Sequence, residues 1–346
     1  MSSAELDASP ADDGERGLWR GRSPADRRQH MTSGLFPIPH PDVSRVVAAI
    51  GDYSARSKES GVGSMLMIVG PSGWGKTSLC EYLVGLSPRI ELKTKTLIPR
   101  VYLDIPLDPK PTTLNLALAA AIGHTLSRRD SVDEQLDDLF HLLDVCETRE
   151  IFIDNVQDIV RKRGYLGLLD CAAWIRKLHD GHTGLTALLG TEMAEDVVDL
   201  EPQLRRRSPG KIRCGYLSLA SEADVSRAKR FFHEIDKKLP LAQSSRLEGW
   251  TVPMVVSTYG IPDYIFKLLA EAVVNAVVAG REVLTDDDLV YAFEAVHRDA
   301  GRDLNPFRLG GPRRMLDQEG EPFHKWNELQ KAKLRPLRTS PSKRAA

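Results

Sequence analysis

Eight consecutive residues carry the densest chemical signal in the chain: Gly70-Pro71-Ser72-Gly73-Trp74-Gly75-Lys76-Thr77 matches GxxxxGK[ST] at every fixed position. The spacing has a physical reason. Glycines let a backbone curl until successive N–H groups point inward at phosphate oxygens, where a Cβ would collide. A helix opening near Gly75, with Ser78 in its first turn, adds the positive end of its dipole. Lys76 then reaches the β- and γ-phosphates, and the Thr77 hydroxyl ligates Mg2+. The bland alternative is a glycine-rich turn with a stray lysine. An apolar run before the loop and a helical pattern after it argue against that, so the chain is expected to bind ATP with Mg2+.

A second element agrees. Ile151-Phe152-Ile153-Asp154 reads as a hydrophobic strand ending in a carboxylate, and an aspartate at such a tip holds Mg2+ through its water. Asn155 follows, where a water-polarising carboxylate is usual. An amide orients water but cannot take its proton, and general-base catalysis contributes roughly 10²–10⁴-fold, or ~3–5 kcal/mol of barrier. Two readings stay open: slow hydrolysis in an ATP-dependent switch, which we favour, or substitution by another carboxylate such as Asp158 or Glu192. Gly190-Thr191 closes the next apolar run, placing a small hydroxyl where it could bond the γ-phosphate or the attacking water. Arg205, Arg206 and Arg207 precede the last strand signal, and a surface guanidinium there could reach a neighbouring subunit's γ-phosphate as an arginine finger.

These residues need a scaffold that brings strand tips together. "SMLMIVG" reads as a buried parallel strand and "KTSLCEYLVGL" as the helix after it. The alternation recurs. "RVYLDI" (100–105), "REIFID" (149–154), "LTALLGT" (185–191) and "KIRCGYLSL" (211–219) read as strands, separated by helical patterns at 112–126, 132–146 and 165–179. That is the signature of an α/β fold with a parallel sheet covered on both faces. Upstream, "FPIPHPDVSRVVAAIGDYSARS" predicts an extended entry and a helix capped by Asp42, with Val43, Val46, Val47 and Ile50 on one stripe. From Ser221 strand signals vanish and helical period continues to about residue 300. There Thr285 with Asp288 fits a capping box better than the DDD run fits a metal site. The expected organisation is a disordered arm over 1–34, a nucleotide-binding domain over 35–219, a helical lid over 220–300, and a partly disordered tail over 301–346. That tail is basic from Lys325 onward.

Composition excludes several classes. A length of 346 residues predicts about two domains plus extensions. Hydrophobic residues at 42% and charged residues at 27% suit a chain with a real core. Forty-seven basic against 48 acidic residues exclude a histone-like protein, so nucleic-acid contact must come from a local patch. No run approaches the ~20 apolar residues of a membrane span, and the first residues lack the apolar core of a secretory signal. Cys80, Cys146, Cys171 and Cys214 form no CxxC pair and read as reduced, buried thiols of a cytoplasmic protein. HExxH and GxSxG are absent, and Gly61-Val62-Gly63 does not continue into GxGxxG, which leaves metalloprotease, serine-hydrolase and dehydrogenase chemistry without support.

In order and spacing these elements resemble the AAA+ ATPases of transposition, the TniB/TnsC family. The resemblance runs from about Phe36 to Arg308 through "IPHP", "MLMIVGPSGWGKT", "IFIDNVQDI", "LLGT", "PQLRRR", "AVVAGREVLTDDDL" and "NPFR". It implies a P-loop AAA+ sheet of order 5-1-4-3-2 with a C-terminal helical lid. It also implies ATP-dependent rings or helical filaments of like subunits on double-stranded DNA, and recruitment of a DDE transposase together with a target selector of the TniQ type. DNA contact would be phosphate-directed and sequence-nonspecific. Lys110, Thr112 and Thr113, and Arg161, Lys162 and Arg163, are the candidate carriers, against the alternative of solvated faces. Two departures stand out: the family usually has "IDE" at Asp154-Asn155, and "GIPDYIFKLLAEA" lacks the sensor arginine, leaving Lys267 as the substitute candidate. A helicase-loader-type or signalling switch acting on a protein partner, and an ordinary ATPase motor, are the competing readings.

Overall fold

The computed structural model describes residues 16–32, 40–207 and 210–325. Its first helix, α1 (Pro24–Thr32), is followed by α2 (Pro41–Ser60), then strand β1 (Ser64–Val69) and α3 (Lys76–Gly85). A small antiparallel hairpin, β2 (Ile90–Glu91) and β3 (Thr96–Leu97), precedes β4 (Arg100–Asp104). Helices α4 (Pro111–Ile122) and α5 (Val132–Val145) lead to β5 (Glu150–Asp154). Short α6 (Gln157–Lys162) and long α7 (Tyr165–Gly181) lead to β6 (Leu185–Gly190), and α8 (Ala194–Leu200) and α9 (Pro202–Arg207) to β7 (Gly210–Arg213).

The five long strands lie in the order β4-β5-β6-β1-β7, all parallel. Counted along the chain this is 5-1-4-3-2, as expected. Strand alternation explains the two cores. Leu66, Ile68 and Phe152 face α2 and α3, packing with Val46, Ile50, Leu79 and Leu83. Met65, Met67, Ile151 and Ile153 face the opposite side and pack with Leu118, Leu139, Trp174 and Ile175. Burial on both faces is why these strands read as unbroken apolar runs. All four cysteines are free and buried.

After β7 no strand occurs among the described residues. Helices α10 (Glu222–Lys238), α11 (Thr251–Thr258), α12 (Pro262–Val278) and α13 (Asp286–Val296) build a separate core around Phe231, Ile235, Leu268, Val273 and Leu289. Asp288 Oδ2 accepts from Thr285 N at 2.9 Å and Thr285 Oγ1 at 2.8 Å, so the DDD run is a helix cap. No cluster of metal-ligating residues occurs among the described residues, and no helix among them is long and apolar enough to cross a membrane.

Several expectations need correction. Helix α2 is capped by His40, whose Nδ1 accepts from Asp42 N at 3.2 Å, rather than by Asp42. Val47 is exposed while Val46 and Ile50 are buried, so the stripe is narrower than read. The structureless arm does not hold for its described part. Ser23 and Asp26 form a reciprocal cap for α1, with Ser23 Oγ accepting from Asp26 N at 3.1 Å and Ser23 N donating to Asp26 Oδ2 at 3.3 Å. Met31 then enters the helical core, and Arg27, 1% exposed, pairs with Glu282. The ordered helical layer also runs past residue 300: Leu316 and Phe323 pack with Val256 and Phe293. "NPFR" is a turn in which buried Asn305 Nδ2 donates to Val290 O at 3.0 Å and its Oδ1 accepts from Phe307 N at 3.1 Å. Residues 1–15, residues 33–39 with the first half of "IPHP", and the basic stretch beyond 325 lie outside the described residues.

Candidate functional site

The site forms where the C-terminal tips of β1, β5 and β6 meet, the place where a parallel sheet leaves room for a ligand. The loop 70–75 turns out of β1 through two left-handed glycines, Gly73 (φ 77°) and Gly75 (φ 105°). A Cβ on Gly73 would lie 2.9 Å from Ile261 Cγ2, because the loop is braced by the helical layer. Asp263 N donates to Gly73 O at 3.1 Å, and Tyr216 Oη donates to Ser72 O at 2.8 Å. Trp74 is buried and meets the His40 ring edge-on with centroids 5.4 Å apart. Burial holds the His40 imidazole at about 4, below its ordinary value.

Lys76, the first residue of α3, folds back into this loop. Its Nζ donates to Gly70 O at 2.6 Å and Pro71 O at 3.0 Å. Burial lowers its proton affinity, and the charge of Asp154 opposes that shift. Thr77 Oγ1 donates to Asp154 Oδ2 at 2.5 Å. Asp154 is fully buried; its Oδ2 also accepts from Tyr102 Oη at 3.3 Å and its Oδ1 from Asn155 N at 2.8 Å. Burial and the nearby Asp154 and Asp104 carboxylates push the Tyr102 hydroxyl's pKa up. The loop, lysine, threonine and aspartate singled out in the sequence thus converge. A hydroxyl and a carboxylate oxygen in contact fit Mg2+, a hard cation that takes few protein ligands and completes its shell with phosphate oxygens and water.

Asn155 adopts φ 58°. Its amide short side chain tolerates that left-handed conformation better than glutamate, which is a local reason for its presence. Its amide is held from both sides: Nδ2 donates to Asp104 Oδ1 at 2.8 Å, and Oδ1 accepts from Gln157 Nε2 at 3.0 Å. Gln157 Oε1 accepts in turn from Thr191 N at 3.0 Å, tying the tips of β4, β5 and β6 together. The Thr191 hydroxyl is buried with no partner among the described residues, a state that costs free energy unless a ligand or water bonds it. Asp104 and Gln157 escaped the sequence reading. The signal was present: Asp104 ends "RVYLD" as Asp154 ends "EIFID", and the two are register partners.

The other sequence candidates divide. Asp158 pairs with Arg161 and Lys162. Glu192 is exposed on the turn before α8. Arg207 is tied to Asp180 at 2.5 Å and to Gln203 O at 2.9 Å, which makes it a helix-packing residue. Arg205 lies 3.7 Å from Asp199 and is largely exposed, and Arg206 is exposed. Lys267 pairs with Asp263 at 2.7 Å. The two basic groups proposed for DNA form one surface, because Asp108 pairs with Lys110 at 2.5 Å and Arg163 at 3.3 Å. Thr112 lies half-buried in the first turn of α4. Thr113 is spent on capping, its Oγ1 accepting from Lys110 N at 2.9 Å and donating to Asp108 O at 2.6 Å.

Among solved structures, the chain is similar to the Aeropyrum pernix ORC2 protein in its ADPNP–ADP complexes. The TM-score is 0.59 at 15% identity, covering 79% of this chain and 72% of that one. The Aeropyrum pernix ORC1 protein in complex with DNA gives 0.55 at 16% identity, covering 79% and 70%. Cdc6p from Pyrobaculum aerophilum gives 0.50 at 17%, covering 77% and 69%. At these identities the likeness is one of fold, and the fold is the P-loop AAA+ sheet. No curated protein matches the chain. The model of the bacterial TniB protein matches residues 33–209, just over half of the length, and the chain therefore belongs to the TniB family.

Proposed function

We propose that this protein is an ATP-dependent, DNA-binding regulator of transposition. It binds ATP and Mg2+ at residues 70–78 with Asp154, assembles on double-stranded DNA without sequence preference as a ring or helical filament, and recruits a DDE transposase with a TniQ-type selector in the cytoplasm. The observation that carries the reading is the contact between Thr77 Oγ1 and Asp154 Oδ2 at 2.5 Å beneath a loop whose lysine is already folded inward. Membership of the TniB family supports the biological setting. The ADPNP, ADP and DNA named for the similar ORC structures support the ligands.

Each part of the chain takes a role. The Thr77 hydroxyl and the Asp154 carboxylate hold the cation, which neutralises phosphate charge when bound. Lys76 leaves the loop carbonyls for the β- and γ-phosphates. Thr191 offers its unpartnered hydroxyl to the γ-phosphate or the attacking water. Arg205 and Arg206, on the exposed flank of α9, reach a neighbouring copy's nucleotide. Lys110, Arg161, Lys162 and Arg163 contact DNA phosphates. A nucleotide-binding domain over 35–219, followed by a helical domain from 220, suits this division of labour.

Electron microscopy of the purified protein with duplex DNA and a non-hydrolysable ATP analogue tests the reading. Assemblies that need both DNA and nucleotide, and vanish in Lys76→Ala, are the expected result. Wild-type-like assembly by Lys76→Ala, or a nucleotide-dependent complex with a protein partner that ignores DNA, would overturn it; the latter favours the helicase-loader-type switch.

A further inference from the structure

Position 155 lacks a carboxylate, yet a carboxylate touches it. Asp104 Oδ1 accepts from Asn155 Nδ2 at 2.8 Å. Three observations give that contact meaning. Asp104 is the register partner of Asp154 at the tip of the neighbouring strand. Tyr102, two residues earlier and hence on the same face of β4, reaches Asp154 Oδ2 at 3.3 Å. The face of β4 that carries Asp104 is therefore the face on which Asp154 meets Thr77. Finally, the amide of Asn155 has a single orientation, since Asp104 accepts from its Nδ2 and Gln157 Nε2 donates to its Oδ1 at 3.0 Å. The rival carboxylate Asp158 is engaged by Arg161 and Lys162.

We propose that Asp104 supplies the general base for ATP hydrolysis in this protein, with Asn155 as the positioning residue that holds it. The carboxylate that position 155 lacks is supplied from the neighbouring strand tip. The inference rests on the nucleotide site proposed above. In the step, an O–H bond of the attacking water breaks and its proton passes to the Asp104 carboxylate. The oxygen's lone pair forms the new bond to the γ-phosphorus, the bond from that phosphorus to the β–γ bridging oxygen breaks, and its electron pair leaves with ADP. Asp104 is exposed, so it returns the proton to solvent after inorganic phosphate departs.

The test compares wild type, Asp104→Asn, Asn155→Asp and the exchanged pair Asp104→Asn/Asn155→Asp. Three quantities are measured on each full-length protein: the dissociation constant for a fluorescent ATP analogue, single-turnover ATP hydrolysis with protein in excess, and the melting temperature. Asp104→Asn should hydrolyse about 10²-fold more slowly or worse while its nucleotide affinity stays within about threefold. The exchanged pair should recover most of the rate. Independently of turnover, Asn155→Asp should lower the melting temperature by facing one carboxylate with another, and the added Asp104→Asn should restore it. Wild-type hydrolysis by Asp104→Asn, an exchanged pair as slow as that single variant, additive melting temperatures, no hydrolysis by the wild type, or a larger loss in Glu192→Gln would each overturn the assignment. Failure of the wild type to bind the analogue would instead sink the nucleotide site itself.

Discussion

Replacing Arg27 by alanine should release α1 from the helical layer, and the size of the effect follows from its bonds. The guanidinium donates to both Glu282 oxygens at 2.7 and 2.8 Å, to Trp19 O at 2.5 Å, to Pro240 O at 2.8 Å and to Arg22 O at 3.2 Å. Breaking a buried ion pair by removing one partner costs about 3–5 kcal/mol. Glu282 keeps its bond from Ala242 N at 3.1 Å, and its side chain is 30% exposed, so water takes over part of the loss. The lower end, about 3 kcal/mol, is therefore the better figure. Arg16–Asp236, Arg28–Glu271 and Met31 also hold the segment, so the loss should emerge as local opening rather than global unfolding. Hydrogen exchange over residues 24–31 reads it directly. At 1.4 kcal/mol per decade the amides of α1 should exchange roughly 10²-fold faster, while those of β1 and β5 stay unchanged. Exchange within about threefold of wild type, at this conversion, would refute the claim that Arg27 anchors the helix.

Three further outcomes are expected. His40 and His182, both held at about 4 by burial, are neutral in the fold and charge in the unfolded chain. Their contribution is complete above pH 6.5 and is lost as pH falls toward 4, about 2 kcal/mol each between pH 7 and pH 5; a denaturation midpoint flat over that interval contradicts this. Gly73→Ala forces a side chain into φ 77° and 2.9 Å from Ile261. It should cost about 1–2 kcal/mol and weaken ATP binding, and isothermal titration showing wild-type affinity at an unchanged melting temperature rules the packing argument out. Lys110→Ala/Arg163→Ala should weaken duplex binding equally for unrelated sequences and shallow the log–log salt slope by about 2; a sequence-selective loss, or an unchanged slope, excludes phosphate contact.

The parallel sheet was legible because burial on both faces leaves no polar alternation to interpret. "SMLMIV" and "EIFID" admit no amphipathic helix, and glycine or aspartate marks where each stops. The helices after β7 were legible for the opposite reason, their 3.6-residue stripes. Helix α1 was misread because its residues are charged, with Arg27 and Arg28 on a face that packs against protein. Composition treats such residues as solvated, and only a partner 255 positions away reverses that. The overlooked clue was local: Ser23-Pro24-Ala25-Asp26 is a capping box with proline at its first helical position.

The site shows the same division between local and distant information. The loop 70–77 and Asp154 are legible because each needs only its own neighbours in sequence: glycines for curvature, an apolar strand for placement. Asn155 looked like a missing function because a linear reading compares it with the residue type usual at that position. Its meaning depends on what lies across the sheet, and parallel pairing brings together residues separated here by two helices, α4 and α5. Fifty-one positions separate Asp104 from Asn155, yet their side chains meet at 2.8 Å. A strand tip is chemically one place with its neighbours' tips, so the unit to inspect for a lost catalytic group is the row of tips. In that row a carboxylate, Asp104, stands one strand over and in contact with the amide at position 155.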